Sequence, residues 1–167
     1  SARARREPPQ VDDKVLTDWN GMALAALAKT YRALGDERAL AIADKTASFL
    51  AERVLEGDKV YHCYKQGEAY VDGMLADYAS LTSGLMELYE STFKERWLEL
   101  SVELANSMVK RFWDEGGGVL RFKEGEGVTG KLIDPYDTSM PSGYSMALHV
   151  LVRTSRYTGD PKFEDIA

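Results

Sequence analysis

Leu34-Gly35-Asp36-Glu37-Arg38 is the stretch whose reading decides the fold. A glycine accepts the left-handed conformation that ends a helix, and an aspartate directly after it can cap the next one. The stretch therefore reads as a tight turn between two helices. It recurs as Thr92-Phe93-Lys94-Glu95-Arg96 and as Thr158-Gly159-Asp160-Pro161-Lys162. The copies stand roughly 60 residues apart, and a period of that size with two helices per unit signals stacked helical hairpins.

Outward from each turn the hydrophobic spacing supplies the helices. Before Gly35, a helix is predicted from Thr17 or Asp18 to about Leu34, with Trp19, Ala23, Ala26, Leu27, Tyr31 and Leu34 on one face. Alanines at 25, 28 and 33 fill its other sides, the pattern of a helix with neighbours on more than one side. After Asp36, a one-sided helix runs from Glu37 to about Leu55 on Ala39, Ile42, Ala43, Thr46, Leu50 and Val54. The second hairpin pairs a helix from about Met74 to Tyr89, with the stripe Leu75, Tyr78, Ala79, Leu81, Leu85 and Leu88, and one from about Glu95 to Trp113. The latter carries Leu98, Val102, Ala105, Val109 and Phe112. A fifth helix starts near Pro141 or Ser142 and runs to Tyr157; a sixth opens at Lys162.

Between hairpins the chain is polar. Lys59–Lys65 and Glu68–Val71 read as strands joined at Gln66-Gly67, and Val119–Phe122 as a strand within a glycine-rich run from Gly116 to Gly130. The fold class is all-α: an αα-hairpin repeat array with short β segments in the inter-hairpin loops. One domain is expected over residues 12–167, behind an extended or disordered leader over residues 1–11. A helix start at Lys162 with no helix body behind it is read as a cut chain.

Bulk composition narrows the function classes. The 167 residues have a net charge of −6, which excludes a nucleic-acid partner, because phosphate binding needs a basic face. Arg3, Arg5 and Arg6 form a basic cluster in a terminus read as frayed and solvated. A single cysteine, Cys63, rules out an intramolecular disulfide and fits a reducing compartment. No apolar run approaches the roughly 20 residues of a membrane span, and the N-terminal stretch lacks the apolar core of a signal peptide. Cytoplasmic localisation with no membrane partner is the expectation.

In an up-down array the first, third and fifth helices run the same way, so their N-terminal ends share one face with the long inter-hairpin segments. Onto that face the sequence delivers Asp12, Asp13, Asp18, Trp19 and Asn20, then Tyr61, His62, Tyr64, Tyr70, Asp72, Asp77 and Tyr78. A last group is Asp134, Tyr136, Asp137, Ser139, Ser142 and Tyr144. Carboxylates beside aromatic rings suit a sugar: rings pack on pyranose faces, carboxylates bond hydroxyls and move protons. Glycoside hydrolysis uses two such carboxylates. The same residues admit plainer readings. Asp18 and Asp72 can cap helices or hold turns, and Trp19 and Tyr78 can be core aromatics. Asp77, inside an apolar pattern, can be structural too.

Other chemistries find less support. His62 and Cys63 are adjacent in a predicted strand and point to opposite faces, so they form no dyad with each other. His149 lies mid-helix and reads as packed. Two separated histidines and one cysteine make no metal signature, and Gly116-Gly117-Gly118 precedes a strand rather than a helix, so it is no phosphate loop. No metal or cofactor is expected.

The stretch Asp13-Lys14-Val15-Leu16-Thr17-Asp18-Trp19-Asn20-Gly21 resembles a signature in the C-terminal region of thioredoxin-domain-containing proteins related to spermatogenesis-associated protein 20. Leu75-Ala76-Asp77-Tyr78-Ala79 resembles a second signature, and Tyr136-Asp137 with Pro141-Ser142-Gly143-Tyr144-Ser145 a third. The resemblance covers about Val11 to the end. It implies a six-hairpin, glycosidase-like (α/α)6 toroid, related in fold to N-acylglucosamine 2-epimerases and glycosidases, of which about half is present. In that family the region follows a thioredoxin-like domain. Two departures stand out: Ala76 where relatives often have a second aspartate, and Tyr144 where they often have asparagine.

The resulting expectation is a fragment of a carbohydrate-active or carbohydrate-binding toroid, of glycoside hydrolase or sugar epimerase type if it is an enzyme. Asp13, Asp77 and Asp137 are the candidate acid–base groups. Trp19, Tyr78 and Tyr136 are the candidate stacking walls, and Asn20 and Ser142 the candidate hydroxyl partners. The alternative is a non-catalytic interaction scaffold accompanying a thioredoxin-like domain in protein handling. Apolar flanks of an opened ring lead to an expectation of self-association.

Overall fold

The computed structural model describes residues 6, 11–123, 133 and 135–167. In chain order its elements are β1 (Val15–Leu16), α1 (Thr17–Leu34), α2 (Glu37–Arg53), β2 (Leu55–Glu56), β3 (Lys59–Lys65), β4 (Glu68–Asp72), α3 (Leu75–Thr92), α4 (Glu95–Phe112), β5 (Trp113–Asp114), β6 (Val119–Leu120), α5 (Gly143–Thr158) and α6 (Lys162–Ile166). The helical hairpins α1–α2, α3–α4 and α5–α6 are the ones their turns predict. The first turn closes as expected: Gly35 takes φ +66 and donates its N–H to Tyr31 O, while the Asp36 carboxylate accepts from the Arg38 and Ala39 amides. Gly159 repeats this at φ +72, with Asp160 accepting from Lys162 N. Phe93 holds the same left-handed position at φ +54, where the other copies have glycine.

The odd helices form an inner layer with α3 at its centre. Parallel pairing on both sides of α3 follows from the contacts in register along it. Asp18, Gly21, Ala28 and Arg32 of α1 meet Asp77, Ser80, Ser91 and Glu87 of α3. Gly143, Met146 and Arg153 of α5 meet Ala76, Ser80 and Glu87 on the other flank. Their N-terminal ends therefore lie together. Helix α3 is buried on almost every side from Leu75 to Leu88, which its stripe alone would not demand.

The buried faces differ from the expected ones where small residues make the contact. In α1 it is Gly21, Leu24 and Ala28 that are buried, whereas Trp19, Ala23, Ala26 and Leu34 are exposed. A β-carbon on Gly21 would stand 2.6 Å from the Ser80 carbonyl carbon, and one on Gly84 2.6 Å from the Gly21 oxygen. Backbone-to-backbone approach of this kind is open only to glycine. In α4 the buried face passes through Trp97, Ser101, Leu104, Ala105, Met108 and Phe112, turned from the expected stripe. In α2, Ile42 is exposed while Ala47 is buried. His149, expected to be packed, is exposed on α5.

The polar segment after α2 folds over the N-terminal ends of the inner helices. Strand β3 is central, antiparallel to β1, β2 and β4. Its hairpin with β4 turns at Gln66 (φ +52) and Gly67 (φ +95), two left-handed residues in succession that match the twist of the strands. Asp134 of the expected third group lies outside the described residues.

Candidate functional site

Three helix starts and one strand build the site. At the first turn of α1, the Asp18 amide donates to Asp77 Oδ1 at 3.1 Å. At the first turn of α3, the Met74 amide donates to Asp77 Oδ2 at 2.9 Å. From β3, His62 Nδ1 lies 2.9 Å from Oδ1 and 3.1 Å from Oδ2 of the same carboxylate. Asp77 is thus a wholly buried knot joining α1, α3 and β3. An ionised carboxylate only accepts, so opposite it Nδ1 carries the proton and Nε2 is left as acceptor. Burial pushes the Asp77 carboxyl above its ordinary value, against the opposing pull of the Met74 amide and His62.

Asp18 sits beside this knot. It is 9% exposed, and one of its oxygens accepts from the Trp19 amide at 2.8 Å. It lines a pocket of about 230 Å³ together with the start of α3 (Met74, Leu75, Ala76), the start of α5 (Ser142, Gly143, Tyr144) and the segment before it. Phe122 and Tyr136 add further aromatic wall. The α5 end is fixed locally: Ser142 Oγ accepts from Ser145 N, and Asp137 Oδ1 accepts from Ser142 N at 2.7 Å. A β-carbon on Gly143 would stand 2.9 Å from Ala76, so α5 reaches α3 closely at this point.

The expected site residues divide accordingly. Tyr136 is 70% exposed and lines the pocket with Ser142. Asp137 flanks it through Ser142. Asp77 lies behind it with no exposed surface. Tyr78, expected as a stacking wall, is 1% exposed: its ring packs edge-on against Phe112 and its hydroxyl accepts from Val60 N, so it is a core residue. Trp19 is 56% exposed, and Asn20 uses its amide to donate to Leu16 O at 2.8 Å. Asp13 lines a separate open depression with Asp12, Lys14, Lys65, Gln66 and Tyr70. There Lys65 pairs with it at 2.6 Å and holds its carboxyl below the usual range. Asp72, read as a residue that can cap a helix or hold a turn, ends β4 and pairs with Lys59 of β3.

Two residues that sequence reasoning placed lower stand at the centre. Sequence places His62 on the shared polar face, excludes a dyad with its neighbour Cys63 and gives it no metal signature; its partner is Asp77, on the other side of a strand-to-helix connection. Asp18 was weighed chiefly as a cap, yet α1 has no side-chain cap. Cys63 is buried, and burial pushes its thiol up, away from reactivity. A groove of about 300 Å³ along α4 has no aromatic lining, and its Asp58 and Lys110 pair with each other.

Among the described residues no helix is long and apolar enough to cross a membrane. No family model matches the chain. It is 33% identical over 98% of its length to human spermatogenesis-associated protein 20, and spans 22% of that protein. In structure it is similar to a GH76 α-mannanase of Bacteroides thetaiotaomicron, with TM-score 0.72, 16% identity, and 96% of this chain against 44% of that one. A sugar epimerase from a ruminal bacterium matches at TM-score 0.71 and 18% identity, over 92% and 42%. An inactive variant of a Salegentibacter α-1,6-mannanase, in complex with α-1,6-mannotriose, matches at TM-score 0.69 and 12% identity, over 92% and 45%. The chain thus spans about a fifth of its curated relatives and under half of each of these solved toroids. Over nearly its whole length it is a homologue of spermatogenesis-associated protein 20, and its fold is about half of a six-hairpin glycosidase-like α/α toroid.

Proposed function

We propose that this segment binds carbohydrate in the pocket at the N-terminal ends of α1, α3 and α5. The observation that carries the reading is the pocket's lining: Asp18, Ser142, Phe122, Tyr136 and Tyr144 border one space of about 230 Å³. Rings beside a carboxylate and a hydroxyl are what a pyranose needs, with an apolar face to stack and hydroxyls to bond. The volume lies below the roughly 300–1,000 Å³ of drug-sized sites, which favours a single sugar ring. The solved neighbours add support: one is a mannanase holding mannotriose and another a sugar epimerase.

In this proposal Asp18, with Asp137 at the rim, supplies the carboxylates that reach the sugar. Asp77, with His62, sets the position of the α1 and α3 ends. Tyr61, Tyr64 and Tyr70, whose crowding of the face would favour an interaction scaffold, are not among the pocket's lining residues. Ala76 does line it, where the family resemblance leads one to expect a second aspartate, and this favours binding over turnover. NMR titration with neutral and acidic sugars, α-1,6-mannotriose among them, tests the reading. Shifts centred on Asp18, Tyr136 and Tyr144, weakened at least tenfold by Tyr144→Ala, are expected. No shifts, or shifts untouched by that change, would reject it.

A further inference from the structure

The cluster behind the pocket has a chemistry of its own. One donor atom from each of Asp18, His62 and Asp77 lies within 4.8 Å of the other two. Both carboxylates are at least nine-tenths buried, and the His62 side chain is 19% exposed. Burying two like charges side by side is costly unless something positive compensates them. Among the described residues no lysine or arginine forms an ion pair with either carboxylate; His62 alone faces Asp77. The Asp18 carboxylate oxygen that does not meet Trp19 N has no hydrogen-bond partner among the described residues, and His62 meets Asp77 through Nδ1. A free carboxylate oxygen of the buried Asp18 thus stands close to the paired His62 and Asp77 side chains, in a site with a deficit of positive charge.

We propose that Asp18, His62 and Asp77 form a binding site for a divalent transition-metal ion of the zinc, cobalt or manganese type. The donor set selects the class. An imidazole nitrogen with carboxylate oxygens suits these ions, whereas magnesium and calcium favour all-oxygen shells. Two carboxylates balance the ion's two charges. Three protein ligands leave at least one position for solvent or a ligand oxygen, and Asp18 also lines the pocket. The ion would take the place of the Nδ1 proton that lies between His62 and Asp77, which is released to solvent. The inference does not rest on the carbohydrate reading: a metal can bind here whether or not a sugar does.

The test uses the chain stripped with a chelator and then titrated calorimetrically with Zn2+, Co2+, Mg2+ and Ca2+, with Co2+ also followed by its visible absorption. One equivalent of Zn2+ or Co2+ is expected to bind and to raise the melting temperature. Asp18→Asn and His62→Gln, each first shown to be folded by circular dichroism, should weaken binding by at least tenfold. His149→Gln, which removes the exposed histidine on α5, should leave it unchanged. No binding to the parent chain, full binding in both site variants, loss of binding with His149→Gln, or preference for Mg2+ or Ca2+ would each overturn the proposal.

Discussion

Single residues decide how closely the inner helices approach. Gly21 and Gly84 face each other across α1 and α3, and each would drive a β-carbon into backbone rather than into a flexible side chain. Gly84→Ala is therefore expected to cost about 1–3 kcal/mol, the usual range for overpacking, read as a lower urea midpoint with an unchanged slope. Wild-type stability in that variant would show that the helices can separate without loss. Asp77 is the polar counterpart of these glycines. Its carboxylate satisfies the Asp18 and Met74 amides and His62 at once. Removing it would leave buried donors without partners, each at a cost of about 1–3 kcal/mol. A loss of sugar or metal binding in Asp77→Ala would report on the scaffold as much as on the site, which is why Asp18 and Tyr144 carry the tests above.

At the level of elements, the three short turns use one device with one exception. Gly35 and Gly159 occupy the left-handed cap without strain, whereas Phe93 occupies it with a side chain and is 75% exposed. A non-glycine residue pays roughly 1–2 kcal/mol for that conformation, and glycine returns roughly 0.5–1 of it through the freedom of its unfolded chain. The Phe93 ring recovers little, with one edge contact to Tyr89 at 6.1 Å between centroids. Phe93→Gly should therefore stabilise the protein by about 0.5 kcal/mol, seen as a small rise in melting temperature. A fall would mean that the contact with Tyr89 outweighs the backbone strain.

Across the whole molecule, the inner layer is also tied at the end opposite the site. Glu87 and Glu90 of α3 bind Arg32 of α1 on one flank and Arg153 of α5 on the other, and Tyr157 adds a hydrogen bond to Glu90. Burial pushes the Glu90 carboxyl up, but its bonds to Tyr157 and Arg153 and the charge of Arg32 outweigh this and hold it below its ordinary value. A lowered folded value means that the stabilisation is fully present above the unfolded glutamate value of about 4.3. It is lost as pH falls through the lower folded value. Melting temperature should drop in that acid window, and the drop should be smaller in Glu90→Gln, which is less stable than the parent at neutral pH. Parallel pH profiles for the two proteins would show that the belt contributes nothing.

The array itself was written in the chain. Left-handed caps at Gly35 and Gly159, capping aspartates after them and apolar stripes such as that of α3 are local signals, and local signals fix helices and turns. The same holds for the Gln66-Gly67 hairpin and for the shared direction of the odd helices, which follows from short turns alternating with long segments. Which face of α1 turns inward was not legible, because Gly21 carries no hydrophobic signal and acts only through the backbone of α3. The union of Asp18, His62 and Asp77 was not legible either: they come from a helix start, a strand and a second helix start far apart in sequence. Tyr78 turned from candidate wall to core for a related reason, since the Val60 amide that holds its hydroxyl lies on a different element. Periodicity reports what a segment does with its own neighbours; convergence of distant side chains is a property of packing, and only the tertiary structure decides it.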